Sequence, residues 1–265
     1  MGLRQHVDSS GFPLQLAIAN KFPRTRQNWH VLYEEHQWRH KDQSGFIDLV
    51  IEDETKTWLM NIECKRVRDS SWIFLKDSIS LPRRRHAKLW VSSRRSDDSM
   101  THFDWADIPI DPECEESSFC VVPGQDSKAR PMLERLSATV VLSTEALAAE
   151  EASTVSEQYS HLRIYQNVIV TTAELKVCEI NIENINVATG EIPEDAQFTD
   201  VPFVRFRKQL GSTQAERPRA QLVTDIHGRN RERESTIFVV NSQHLDDFIY
   251  QCELPDDVGQ YVRAR

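Results

Sequence analysis

Residues 45–66 read GFIDLVIEDETKTWLMNIECKR. Two apolar runs, 45–51 and 57–62, are rich in β-branched and aromatic residues, and they flank the charged stretch Glu52-Asp53-Glu54-Thr55-Lys56. This is the pattern of a β-hairpin. A turn centred on Thr55 and Lys56 sets Val50 opposite Asn61 and Asp48 opposite Glu63. Side chains alternate along a strand, so Trp58, Met60, Ile62 and Cys64 share an apolar face while Asn61, Glu63 and Lys65 share the other. Directly paired residues stand about 4.5–5.5 Å apart. Asp48, Glu63 and Lys65 are therefore expected together at one end of the hairpin.

Hard carboxylate oxygens without a His or Cys cluster favour Mg²⁺ or Mn²⁺ over zinc. Such an ion polarises a phosphoryl oxygen and lowers the pKa of a bound water. An ammonium beside it orients that water and offsets charge building on the phosphate. The bland alternative is a surface ion pair among the three side chains, contributing about 0–1 kcal/mol. Such a pair requires neither the matching register nor the apolar reverse face.

The segment resembles the PD-(D/E)xK nuclease superfamily, the restriction-endonuclease-like fold, over about 55 residues from Phe12 to Arg66. That pattern runs helix, three antiparallel strands with Asp on the second and (D/E)xK on the third, then a helix and a further strand. Asp48 matches the motif aspartate, Glu63 the second acid and Lys65 the lysine; Ile47 stands where the motif has proline. The resemblance implies metal-dependent cleavage of nucleic acid, most readily DNA, with Asp48 and Glu63 holding Mg²⁺ (or Mn²⁺). It also implies a further ligand from the Cys64 backbone carbonyl, and Lys65 positioning the water. A homodimer is expected where two incisions are needed. The setting implied is prokaryotic genome (antiviral) defence or DNA processing.

Upstream, residues 12–22 carry Leu14, Leu16, Ala17, Ile18 and Phe22, a short buried helix stopped by Pro23. Many family members place an acid on this helix, whereas this chain has Gln15. A first strand over 29–38 carries Glu34 and Glu35, either of which could complete a metal shell; a solvated strand edge is the competing reading.

At 265 residues and 39% hydrophobic, the chain is long enough for one elaborated core. No apolar run approaches the length of a membrane span, and the first residues lack the apolar stretch of a signal peptide. The five cysteines are odd in number and scattered, reading as reduced thiols in a cytoplasmic protein. Net charge is −9, but its distribution matters more than its sum. Residues 81–95 hold six cations (Arg83, Arg84, Arg85, Lys88, Arg94, Arg95) and no acid, 96–127 hold nine acids and no Lys or Arg, and 203–235 hold eight cations against four acids. The first basic run, Arg83–Arg85 with Lys88, is expected to contact nucleic acid, and such binding falls with salt. Histidines form no HExxH motif. No GxxxxGK[ST] loop is present, so any NTPase or sensor would be a separate partner.

The fold class expected is α/β (α+β): a restriction-endonuclease-like core with a central mixed sheet flanked by helices. Residues 71–75, 87–92, 165–170, 177–182 and 236–241 read as strands, and 201–210 alternates in part. Helices are expected over 129–152 and 243–252, an acidic surface excursion over 96–117, and a polar Arg-rich stretch over 218–234. Residues 1–210 would form the nuclease-like domain, with an insertion over about 67–128, and 211–265 a C-terminal extension packed on it. Two other readings compete: an inactive nuclease-fold protein acting as a nucleic-acid-binding or protein-interaction module, and an unrelated interaction protein.

Overall fold

The computed structural model describes residues 2–22, 29–68, 70–79, 86–94, 102–125, 130–154, 161–210 and 234–255. The hairpin forms in the expected register. Strand β2 (Gln43–Asp53) pairs antiparallel with β3 (Trp58–Lys65), setting Val50 against Asn61 and Ile51 against Met60. Asp53 is the local cause of the turn. Its carboxylate accepts from the backbone N–H of Thr57 at 2.9 Å and of Trp58 at 2.8 Å, while Lys56, at φ 57, donates its N–H to the Asp53 carbonyl.

Before the hairpin come α1 (Leu3–Ser9), α2 (Phe12–Ala19) and β1 (Trp29–His40), the last antiparallel to β2. Pro13 in the first turn of α2 suits a helix start. The helix ends at Ala19, short of the expected Phe22. After β3 the chain runs through β4 (Ser71–Asp77), β5 (His86–Arg94), β6 (His102–Pro109), β7 (Glu116–Ser117) and β8 (Phe119–Val121) to α3 (Met132–Thr154) and β9 (His161–Thr171). Then follow β10 (Glu174–Ile180), β11 (Gln197–Asp200), β12 (Phe203–Gln209), β13 (Glu234–Asn241) and α4 (Leu245–Gln251).

These strands make a mixed α/β architecture. A nine-stranded sheet runs β1-β2-β3-β9-β13-β12-β7, with β5 pairing β9 and β6 pairing β5; a four-stranded sheet runs β11-β10-β4-β8. Strand β3 pairs parallel with residues 164–171 of β9 along the whole length of β3, and the chain reaches β9 by way of β4–β8 and then α3. The other edge of β9 is shared: the N-terminal part pairs with β5 and the C-terminal part with β13.

The large sheet buries both faces. On one, Ile18 and Ala19 of α2 and Phe248 and Ile249 of α4 meet Leu49, Ile51, Met60, Ile62, Val168 and Phe238. On the other, Val140, Val141 and Leu147 of α3 meet Val50, Leu59, Tyr165 and Ile169, and Trp72, Phe74, Leu175 and Val177 of the smaller sheet complete the layer. Each large apolar side chain so buried contributes roughly 1.5–3 kcal/mol. Helix α3 is also docked by polar groups. The buried Asn61 side chain donates to Ser143 Oγ (2.9 Å) and Thr144 Oγ1 (2.7 Å), and Thr144 donates to Asn167 Oδ1 (2.7 Å).

One expectation is corrected. The acidic stretch 96–117 is not a surface excursion where it is described. Residues 102–109 form β6, and Trp105, Ala106, Ile108 and Ile110 are buried. Asp107 answers buried Lys88 (3.1 Å) and Arg207 (3.0 Å), so the acids that suggested exposure neutralise cations from neighbouring strands. Residues 67–128 hold β4–β8, between β3 and α3 in the chain; β5 and β6 lie in the large sheet and β4 and β8 in the small one. From the segment after residue 211, β13 lies between β9 and β12 with six of its eight residues buried. The polar stretch 218–233 lies outside the described residues. No described helix is long and apolar enough to cross a membrane.

Candidate functional site

The site is built where β1, β2 and β3 pass beneath α2. Asp48 sits in the middle of β2, and Glu63 and Lys65 end β3. The ladder pair Leu49 and Ile62 precedes them, so Asp48 and Glu63 come next to each other across the strands. Asp48 turns one carboxylate oxygen to the backbone N–H of Cys64, which donates to it at 2.6 Å. This hydrogen bond locks the aspartate against the neck of the Glu63-Cys64-Lys65 triplet.

A β-bulge decides which β1 acid joins them. From Trp29 to Val31 the β1–β2 register would, if continued, set Glu34 opposite Asp48. The register shifts between Val31 and Tyr33, and Glu34 pairs with Leu49 while His36 pairs with Ile47. Glu35 therefore stands opposite Asp48. A bulge moves every later side chain by one place. Glu35 adopts φ 50, a conformation uncommon for a non-glycine residue. Gln15, 7% exposed on α2, donates to Glu35 Oε1 at 2.6 Å and to the Asp48 main-chain carbonyl at 3.1 Å. Glu34 and Glu35 are both exposed on β1, but Glu34 bonds to none of these residues.

Electrostatics reflect the crowding of acids. Burial, followed by the charge of Asp48, pushes Glu63 up to about 7, with Lys65 opposing. Burial also raises Asp48, against the Cys64 N–H that lowers it, and the Glu35 charge adds to the rise. Burial pushes the Cys64 thiol far up, so this residue serves the site through its backbone. Lys65 has no ion-pair partner among the described residues.

Among the described residues, no three His, Cys, Asp or Glu side chains already stand in ion-holding positions. The donor chemistry fits a hard divalent cation. Asp48, Glu63 and Glu35 offer only oxygens, and the Glu63 carboxylate has no hydrogen-bond donor among the described residues. Two neighbouring carboxylates with raised pKa values are relieved by a cation between them.

The basic residues expected at nucleic acid fare differently. Arg83, Arg84 and Arg85 lie outside the described residues. Lys88 is corrected: it is 1% exposed and ion-paired with Asp107, so its charge serves the core and cannot meet a phosphate. The described cations of the basic stretch from residue 203 are spent similarly. Arg205 is fully buried, donating to the carbonyls of Ile110 and Pro112; Arg207 pairs with Asp107 and Glu234, and Lys208 with Glu134.

Compared with known proteins, the chain matches no family model, no curated protein and no solved structure.

Proposed function

We propose that this chain is a divalent-metal-dependent nuclease of the PD-(D/E)xK type, with a restriction-endonuclease-like core, hydrolysing phosphodiester bonds in DNA in genome defence or DNA processing. The observation that carries this reading is the convergence of Asp48, Glu63, Glu35 and Lys65 at one end of the β1–β2–β3 ribbon, joined by the 2.6 Å bond from Cys64 N–H to Asp48. The order α2, β1, β2, β3 and, after the intervening β4–β8, α3 and β9, with β3 and β9 as parallel neighbours, supports it.

Asp48, Glu63 and Glu35 would hold Mg²⁺ (or Mn²⁺). The bound ion supplies charge neutralisation at the phosphoryl oxygen and a water of lowered pKa. The chain's own residues do the rest. Asp48 is oriented by the Cys64 N–H, Gln15 fixes Glu35 and braces the Asp48 backbone, and Lys65 presents an ammonium to the reacting phosphate and its attacking water.

The test is incubation of plasmid, linear and single-stranded DNA, and RNA, with Mg²⁺ or Mn²⁺. Cleavage is expected from the wild type and is expected to vanish in Asp48→Ala and Lys65→Ala. Cleavage persisting unchanged in both variants sinks the assignment. One observation favours a second reading, a nuclease-fold protein that binds without cutting: α2 carries an amide, Gln15, at the position facing the acids. That reading expects nucleic-acid binding with no product under any metal.

A further inference from the structure

We propose that Arg66 and Arg68 form a fixed contact track for the sugar–phosphate backbone leading out of the candidate site; this rests on the nuclease reading of that site. The chain leaves β3 immediately after Lys65, and its next residues are clamped to the turn between β9 and β10. Thr172 N–H donates to the Lys65 carbonyl (3.3 Å), Val67 N–H donates to Thr172 Oγ1 (2.9 Å), and that hydroxyl donates to the Val67 carbonyl (2.7 Å). The Val67 side chain packs, partly buried, on the core beneath α3. The two arginines flanking it, Arg66 partly exposed and Arg68 exposed, are thus carried on a backbone already held in place.

Neither arginine has an ion pair with a described carboxylate, and Lys65 beside them has none either. Arg39, Lys41, Lys56 and Arg135 likewise have no ion pair with a described carboxylate, but Arg66 and Arg68 are the two that follow directly on Lys65. Lys76, Lys88, Arg163, Lys176, Arg207 and Lys208 are each matched by an acid. A cation neutralised within the fold has little to offer a phosphate. An unmatched cation on a rigid segment keeps its full charge and loses little freedom on binding. From Lys65 to Arg68 the chain spans at most about 10 Å. That reach takes in the phosphates next to the one at the acids, each of which carries one negative charge. The track therefore continues from the ammonium at the acids onto neighbouring phosphates of the same strand, and its contacts are independent of base sequence.

The experiment is fluorescence anisotropy of labelled duplex DNA, single-stranded DNA and RNA against the full chain in EDTA, titrated across a range of KCl concentrations. Arg66→Ala/Arg68→Ala is expected to weaken binding about 10-fold at low salt and to reduce the slope of log K against log[salt] by about 2, near one per lost phosphate contact. Arg66→Lys/Arg68→Lys is expected to retain most of the slope. Thr172→Val, which keeps every charge but frees the segment, is expected to weaken binding with the slope unchanged. An unchanged slope in the alanine pair overturns the proposal, as does a lysine pair as impaired as the alanine pair. In either case wild-type binding leaves the nuclease reading standing. Wild-type protein that binds none of the three nucleic acids overturns both.

Discussion

Gln15 of α2 donates an amide hydrogen bond to the Glu35 carboxylate of β1 at 2.6 Å. The same amide nitrogen also donates to the Asp48 carbonyl, so one side chain ties helix, edge strand and central strand together at the acids. Groups that orient a metal ligand typically matter by 10–100-fold. Gln15→Ala is therefore expected to reduce Mg²⁺-dependent cleavage by about 10-fold, chiefly through weaker metal affinity, which a Mg²⁺ titration of the rate reads directly. Glu35→Gln is expected to cost about 100-fold, and Glu34→Gln almost nothing. Equal losses in the two glutamine variants at 34 and 35 would remove Glu35 from the site.

At the proposed metal site, Glu63 would link metal binding to stability. With its pKa raised to about 7, the folded chain holds a proton that the unfolded chain releases at lower pH. Metal-free stability is therefore expected to fall as pH rises from the ordinary glutamate range through 7, by up to about 1.4 kcal/mol per unit of difference. Glu63→Gln is expected to remove the Glu63 part of that slope, leaving that of Asp48, and to melt higher than the wild type at pH 8 in EDTA. Added Mg²⁺ is expected to raise the Tm of the wild type and leave the variant unmoved. Thermal denaturation across pH, with and without Mg²⁺, separates these outcomes; a metal-independent wild-type Tm would count against the metal centre.

Asp107 titrates in the opposite sense. Burial alone would raise its pKa, but the charges and hydrogen bonds of Lys88 and Arg207 outweigh burial and hold it below the ordinary range. Its contribution is complete above the unfolded aspartate value and is lost as pH falls through the lowered folded value. Asp107→Asn leaves buried Lys88 without its carboxylate and is expected to cost about 3–5 kcal/mol. Lys88→Met, which removes the buried charge itself, is expected to cost less. Urea denaturation at pH 7 ranks the two, and the reverse order would contradict the burial of Lys88.

The Asp53 carboxylate accepts from the backbone N–H groups of Thr57 and Trp58 at the head of β3. Asp53→Ala leaves those donors without their acceptor and is expected to cost about 1–3 kcal/mol. Because the turn sets the β2–β3 register, the variant is also expected to lose cleavage at temperatures where its circular dichroism is still that of the wild type. Full activity up to the melting transition would show that the register survives without this turn.

The hairpin was legible in the sequence because its information is local. Two β-branched runs, a polar turn of fixed length and a period of two are enough to pair Val50 with Asn61 and to bring Asp48 beside Glu63. The same holds for α3, whose apolar spacing and Ala-Glu content announce a helix, and for β9, a run too apolar to lie anywhere but in a sheet interior. Net charge by segment misled. Lys88 and Asp107 are 19 residues apart, in oppositely signed stretches, and only strand pairing reveals that they neutralise each other. Strand β13 was legible as a strand, but its place between β9 and β12 depends on long-range pairing, which no window of sequence contains.

The sequence by itself determined that Asp48, Glu63 and Lys65 meet at the end of one hairpin. Only the tertiary structure decided which acid completes the group. One extra residue in β1 near Leu32 moves Glu34 away from the position opposite Asp48 and brings Glu35 in, and α2 then holds Glu35 there through Gln15. A one-residue bulge leaves the alternation of apolar and polar residues too little changed to be read, yet it changes the strand neighbour of every residue beyond it.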